Sequence, residues 1–106
     1  MNKILILAGG YSNEREISLI TAASVTKELK KNKKYMLLTI EPDGQFVKKL
    51  RKFKPKLVLN LLHGRYGEDG YIQSILESEK VKYTHSGVLS SSLAIDKEIS
   101  KKIFIK

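Results

Sequence analysis

KILILAGGYSNEREISLI, residues 3–20, decides the fold. Ile4 to Ala8 is an uninterrupted apolar run of strand length, which suits a central parallel strand covered on both faces, since a strand with one wet face would alternate. Gly9-Gly10 ends the run. The polar turn YSNERE follows, with Asn13 and Glu16 spaced like a capping box, so that the asparagine oxygen would accept an orphan N–H of a new helix. Residues 17–31 then place Ala22, Val25 and Leu29 on one stripe and gather lysines at the far end, where they complement the helix macrodipole. A strand, a glycine turn and a helix in this order are the first half of a βαβ unit.

The pattern repeats outward from there. Tyr35 to Ile40 reads as a second strand closed by the turn EPDG. Phe46, Val47, Leu50 and Phe53 have helical spacing, and Pro55 ends that helix. Leu57 to Leu62 is a third apolar strand. Tyr71 to Ser78 is helical with Ile72, Ile75 and Leu76 on one face. Val81 to Tyr83 is a short fourth strand, and a last helix is expected from near Asp96, still apolar at Ile103, Phe104 and Ile105. The order βαβαβαβ implies an α/β fold, an open parallel sheet of about four strands flanked by helices.

At 106 residues and 42% hydrophobic content, the chain has room for one core, because a domain of this size buries roughly 60–70% of its unfolded surface. There is no cysteine, so neither disulfides nor thiolate metal sites are available, and a reducing compartment such as the cytoplasm is expected. The apolar run at the N-terminus is too short for a secretory signal or a membrane helix, which needs about 20 residues. The net charge of +9 comes mostly from lysines in residues 27–34 and 48–56. With arginine only at positions 15, 51 and 65 and no interleaved exposed aromatics, the charge reads as a solvated surface, and nucleic acid is not the expected partner.

Ligands of open parallel sheets bind beyond the carboxyl ends of the strands. Two unusual loops leave strands at that edge: GGYSNERE after the first and LLHGRYGEDG, residues 61–70, after the third. In the second loop, Gly64, Gly67 and Gly70 let the backbone approach a ligand and expose N–H groups, while His63 offers a donor whose charge an ionised Glu68 would favour. Together the loops would bring Glu14, Arg15 and Glu16 towards His63, Glu68 and Asp69, a pocket suited to a carboxylate. Gly9-Gly10 is not a dinucleotide fingerprint, and no phosphate-cradling loop is present. His63 and His85, without a third partner, make no recognised metal site.

These residues resemble the N-terminal domain of D-alanine–D-alanine ligases. His63 to Gly70 fits that family's HGxxGEDG; LAGGYSNEREIS resembles its GGxSxEREVS, YTHSGV its YTGSGV and AIDK its SMDK. The resemblance implies a Rossmann-like domain preceding an ATP-grasp domain, in a cytoplasmic ligase of peptidoglycan synthesis that joins two D-alanines through an acyl phosphate, using ATP and Mg2+. By the same resemblance Glu14 is the catalytic residue, holding the ammonium of the first D-alanine. His63, Glu68, Gly64 and Ser86 are implied at the substrate, and Lys97 on the nucleotide side. Arg15, Glu16, Ser18 and Gly67 are implied as architecture. His85 stands where the family usually has glycine.

The resemblance covers the whole chain but only the first third of such an enzyme. Residues 1–96 would form the substrate-side domain, and 97–106 would begin the connection to ATP-grasp domains that carry most of the ATP and Mg2+ ligands. The apolar end of the last helix would pack on that following domain. Alone, the chain is expected to be inactive; complete, a homodimer acting on D-alanine, without membrane contact. D-lactate or D-serine as the second substrate stays open. The alternative is a free-standing basic binding module, or ligase remnant, for an acidic partner or nucleic acid.

Overall fold

The computed structural model describes residues 2–11, 13–62, 70–84 and 92–104. Three parallel strands, β1 (Asn2–Leu7), β2 (Tyr35–Ile40) and β3 (Leu57–Asn60), form one sheet in the order β2-β1-β3. Between and after them come α1 (Arg15–Leu29), α2 (Phe46–Phe53), α3 (Tyr71–Ser78) and α4 (Ser92–Ile99), the last running into a π-helical turn at Ser100–Phe104. The parallel α/β expectation holds.

The central position of β1 explains its sequence. Ile4, Leu5, Ile6, Leu7 and Ala8 are all completely buried, and alternate residues enter two separate cores. Ile4, Ile6 and Ala8 meet Ala22, Val25 and Leu29 of α1 and Ile95 and Ile99 of α4, with Leu57, Leu59 and Leu61 beside them. Leu5 and Leu7 point the other way, into Phe46 and Leu50 of α2 and Ile72 and Leu76 of α3. A strand with helices on both faces needs apolar side chains at every position, which is why no alternation is visible.

The fourth strand contracts to a single parallel bridge, Val58 with Tyr83. Two ladder bonds form, from Val58 N–H to the Lys82 carbonyl at 2.9 Å and from Thr84 N–H to the Val58 carbonyl at 3.0 Å. The next donor, the N–H of Asn60, turns to the Thr84 hydroxyl instead, at 3.1 Å. A side chain there takes the place of a backbone acceptor and ends the ladder.

Two helix starts differ from expectation. The residue capping α1 is Glu14, not Asn13, and no side chain supplies the cap bond; the first turn of α1 is instead fastened to the strand ends by Arg15 and Ser18, described below. α4 begins at Ser92 rather than near Asp96, because Ile95, Ile99 and Ile103 all pack on the same core. Steps of four residues drift about 40° per turn on an ideal α-helix, and the wider turn at 100–104 keeps Ile103 on that face. Ile103 is partly buried against this core; the side chains of Phe104 and Ile105 lie outside the described residues.

The charges are sorted along the strand axis. Lys3, Lys33, Lys34, Lys54, Lys56, Lys80 and Lys82 stand at or before the amino ends of β1, β2, β3 and the Tyr83 bridge, whereas Glu14, Glu16, Glu41 and Asp43 stand beyond the carboxyl ends. All helices of a parallel α/β layer end at the amino edge, so lysine there faces the negative ends of their dipoles.

Because Ile6 has no exposed surface, Ile6→Ala removes packing from the central strand and should cost about 2–5 kcal/mol, read as a lower urea midpoint. Ile20→Ala, on a residue 69% exposed on α1, should move the midpoint by no more than about 0.5 kcal/mol equivalent. Equal losses in the two variants would contradict the described burial.

Candidate functional site

β1 and β3 lie side by side, but their following helices leave in opposite directions: α1 packs on one face of the sheet and α3 on the other. The connections therefore diverge at the carboxyl ends of these two strands. Such a divergence opens a crevice, the usual ligand position in open α/β sheets.

The crevice floor is held by one hydroxyl. Ser18, completely buried on the first turns of α1, accepts the N–H of Gly9 at 2.9 Å and donates to the carbonyl of Leu61 at 2.7 Å. This single side chain ties the turn after β1 to the end of β3, one residue before Leu62 and two before His63. Leu62 completes the approach, its Cδ2 lying 3.5 Å from where a Cβ on Gly10 would stand.

Gly9 and Gly10 have φ of +88° and +91°, a region that disfavours any residue with a Cβ. At Gly9 space adds to conformation: a Cβ would lie 2.7 Å from the carboxyl carbon of Glu41. Glu41, just past β2, accepts from Arg15 through both oxygens, Nε at 2.9 Å and Nη2 at 2.7 Å, and from the N–H of Gly10 at 3.3 Å. The hydrogen bond from Arg15, its charge and the Gly10 N–H outweigh partial burial and hold the Glu41 carboxyl below its ordinary range. Arg15 is correspondingly raised by its bond to Glu41. The fork pins α1 to the β2 end of the rim, beside a 460 Å³ recess lined by Gly10, Tyr11, Arg15, Glu41, Pro42 and Asp43.

Glu14 stands at the N-cap of α1, exposed, with its carbonyl accepting the Ser18 N–H at 3.0 Å. Its carboxylate thus belongs to the positive end of a helix dipole at the carboxyl-end rim. Lys97 is exposed on α4 between the buried Ile95 and Ile99. His63, Gly64, Glu68 and Ser86, like Arg65, Gly67 and His85, lie outside the described residues. Sequence reasoning missed Glu41, whose signal is an acid placed directly after an apolar strand. It also missed Asn60, completely buried at the end of β3. The Asn60 Oδ1 accepts the Leu62 N–H at 3.2 Å, and its Nδ2 has no acceptor among the described residues. Position 60 faces the side of the sheet where α3 packs.

No three His, Asp or Glu side chains converge as metal ligands among the described residues.

Ser18→Ala should cost about 1–3 kcal/mol, because it leaves a buried N–H and a buried carbonyl unsatisfied; it should also speed hydrogen exchange of the Gly9 amide specifically. Glu41 contributes an acid-sensitive part of the stability, as Glu79 does through its bond to Arg51. The folded pKa of Glu41 lies below the ordinary 4.5, so its contribution is complete above that value and is lost as pH falls through the folded pKa. The Tm difference between the chain and Glu41→Gln, present at pH 7, should therefore close only as the pH falls from 4.5 through the lower folded pKa.

Comparison with known proteins agrees with this fold. Residues 3–56 match the family model described as D-ala D-ala ligase N-terminus. The chain is 62% identical over 104 residues to the D-alanine–D-alanine ligase of Pelagibacter ubique, covering 98% of this chain and 34% of that protein. It is 50% identical over 101 residues to that of Wolbachia pipientis wMel, covering 95% and 32%. Among solved structures, the Bacillus anthracis D-alanine–D-alanine ligase complexed with ATP superposes with a TM-score of 0.68 at 35% identity, over 98% of this chain and 35% of that one. The chain spans about a third of the length of the curated relatives it matches, and each of these relatives is a ligase, which gives no support to a free-standing basic module. With the matched segment running from β1 through α2, across the glycine turn, Glu14 and Ser18, the chain belongs to the D-ala D-ala ligase N-terminus family.

Proposed function

We propose that this chain is the substrate-side domain of a cytoplasmic, ATP-dependent ligase that joins two D-alanines for peptidoglycan synthesis. The observation that carries this reading is the Ser18 clasp, which holds the turn leading to Glu14 against the strand end leading to His63. A small zwitterion needs an anion for its ammonium and donors for its carboxylate, and in this reading the two segments would supply these.

In this reading the ammonium of the first D-alanine pairs with Glu14, and His63, oriented by Glu68, lies beside the same substrate. Gly64 and Ser86 bring backbone close to it. Held in this way, the substrate carboxylate is presented to the γ-phosphate of ATP, and its attack yields an acyl phosphate and ADP. The amine of the second D-alanine then displaces phosphate and forms the dipeptide. Magnesium, bound outside the described residues, would neutralise charge on the transferring phosphates.

Lys97 would face the nucleotide. Residues 1–96 form the substrate-side domain and 97–106 begin the connection, still anchored to the sheet through Ile99. The complete enzyme would act as a homodimer. Among the described residues no helix is long and apolar enough to cross a membrane.

The test is a chimaera in which this chain replaces the matching third of the Pelagibacter ubique ligase. It should release phosphate and form the dipeptide with D-alanine, while the 106-residue chain alone should release none. Glu14→Gln in the chimaera should raise KM for the first D-alanine at least tenfold, about 1.4 kcal/mol. An unchanged KM would remove Glu14 from the substrate, and turnover by the chain alone would overturn the division of labour.

A further inference from the structure

Among the described residues a large cavity lies at the opposite, amino-end edge of the sheet. It measures 690 Å³ and is lined by Arg51, Lys54, Lys56, Lys80, Lys82 and Lys102 around an apolar floor of Leu50, Pro55, Val81 and Ile103, with Glu79 as its one acid. Cavities of this size hold small organic ligands. Six cations share it with a single carboxylate, and Arg51 already takes that carboxylate in a bidentate pair, at 2.8 and 2.9 Å.

Helix dipoles account for only some of this charge. α2 and α3 both end at the cleft, and a lysine near each end is expected. Lys56, Lys82 and Lys102 belong to neither helix. Lys82 spends one donor on the Lys102 carbonyl at 2.9 Å, which fixes its ammonium across the cleft and leaves it two more. Lys54, Lys56 and Lys80 form no ion pair among the described residues.

Backbone conformation gives a second, independent observation. Lys54 and Lys80 are the only non-glycine residues with positive φ among those described, at 52° and 59°, and both line this cleft. Each ends a helix in the left-handed conformation, Lys54 at the end of α2 and Lys80 two residues past α3. Glycine is the residue that fills such positions without penalty. Lysine at both places accepts a backbone cost that glycine would avoid.

We propose that this cleft is a second ligand site, distinct from the D-alanine crevice, for a diphosphate ester with an apolar or aromatic body. The phosphates would lie among Lys54, Lys56, Lys80 and Lys82, and the body on Leu50, Pro55, Val81 and Ile103. Charge selects the phosphates; the floor selects the ester over free pyrophosphate. The proposal does not depend on Glu14 or His63, so it and the ligase reading can fail separately.

Isothermal titration of the 106-residue chain with ADP and with inorganic pyrophosphate, in low salt without magnesium, tests it. ADP should bind with one-site stoichiometry and at least fivefold more tightly than pyrophosphate. The double variant Lys54→Gly/Lys80→Gly, which suits the backbone and should keep Tm within a few degrees, should weaken ADP at least tenfold. Lys30→Ala/Lys33→Ala removes the same charge outside the cleft and should leave affinity within twofold. Absence of ADP binding, equal losses in both double variants, or pyrophosphate binding as tightly as ADP would each overturn the proposal.

Discussion

The structure depends on one constraint, that β1 is covered on both faces. A strand in that position can carry no polar side chain between Ile4 and Ala8, and its two sets of side chains oblige helices to pack on both sides. The order β2-β1-β3 follows from it: β2 and β3 flank a centre already filled, and the connections must reach opposite faces to cover it. The crevice is a by-product of that need. It opens where two adjacent parallel strands send their chains to different layers.

Within the crevice, order is imposed by few groups. Ser18 both accepts and donates, so its hydroxyl satisfies two buried backbone groups that would otherwise each need a partner or a water. Glu41 has a related role at the end of the neighbouring strand, filling the space that a Cβ on Gly9 would claim and binding Arg15 from α1. The two anchors fix the first turn of α1 from both sides, which is why α1 needs no side-chain cap. Glu14 then stands at the helix start with its placement set by its neighbours.

Much of this was legible in the sequence. The unbroken run ILILA marked a central strand, the stripe of Ala22, Val25 and Leu29 marked the inner face of α1, and Gly9-Gly10 marked the turn where positive φ is required. Less legible was whatever depends on a partner far along the chain. The Asn13-Glu16 spacing satisfied a local rule, but the cap shifted because Arg15 and Ser18 found partners at positions 41 and 61. The short strand at Val81–Tyr83 had the right composition, yet a hydroxyl at Thr84 ended its pairing. Glu41 and Asn60 gave only faint local signals, an acid directly after an apolar strand and an amide in an apolar run, because they acquire their roles from the residues packed against them.

The separation of charge along the strand axis has a practical corollary. On a cation-exchange bead or a mica sheet the protein should settle lysine edge down, because among the described residues the amino-end rim gathers lysines and the carboxyl-end rim carries Glu14, Glu16, Glu41 and Asp43. The bank that holds Glu14 would then look away from the support and into the bulk fluid. Non-covalent capture of this chain would thus present its substrate side uniformly, with no tag engineered to steer it.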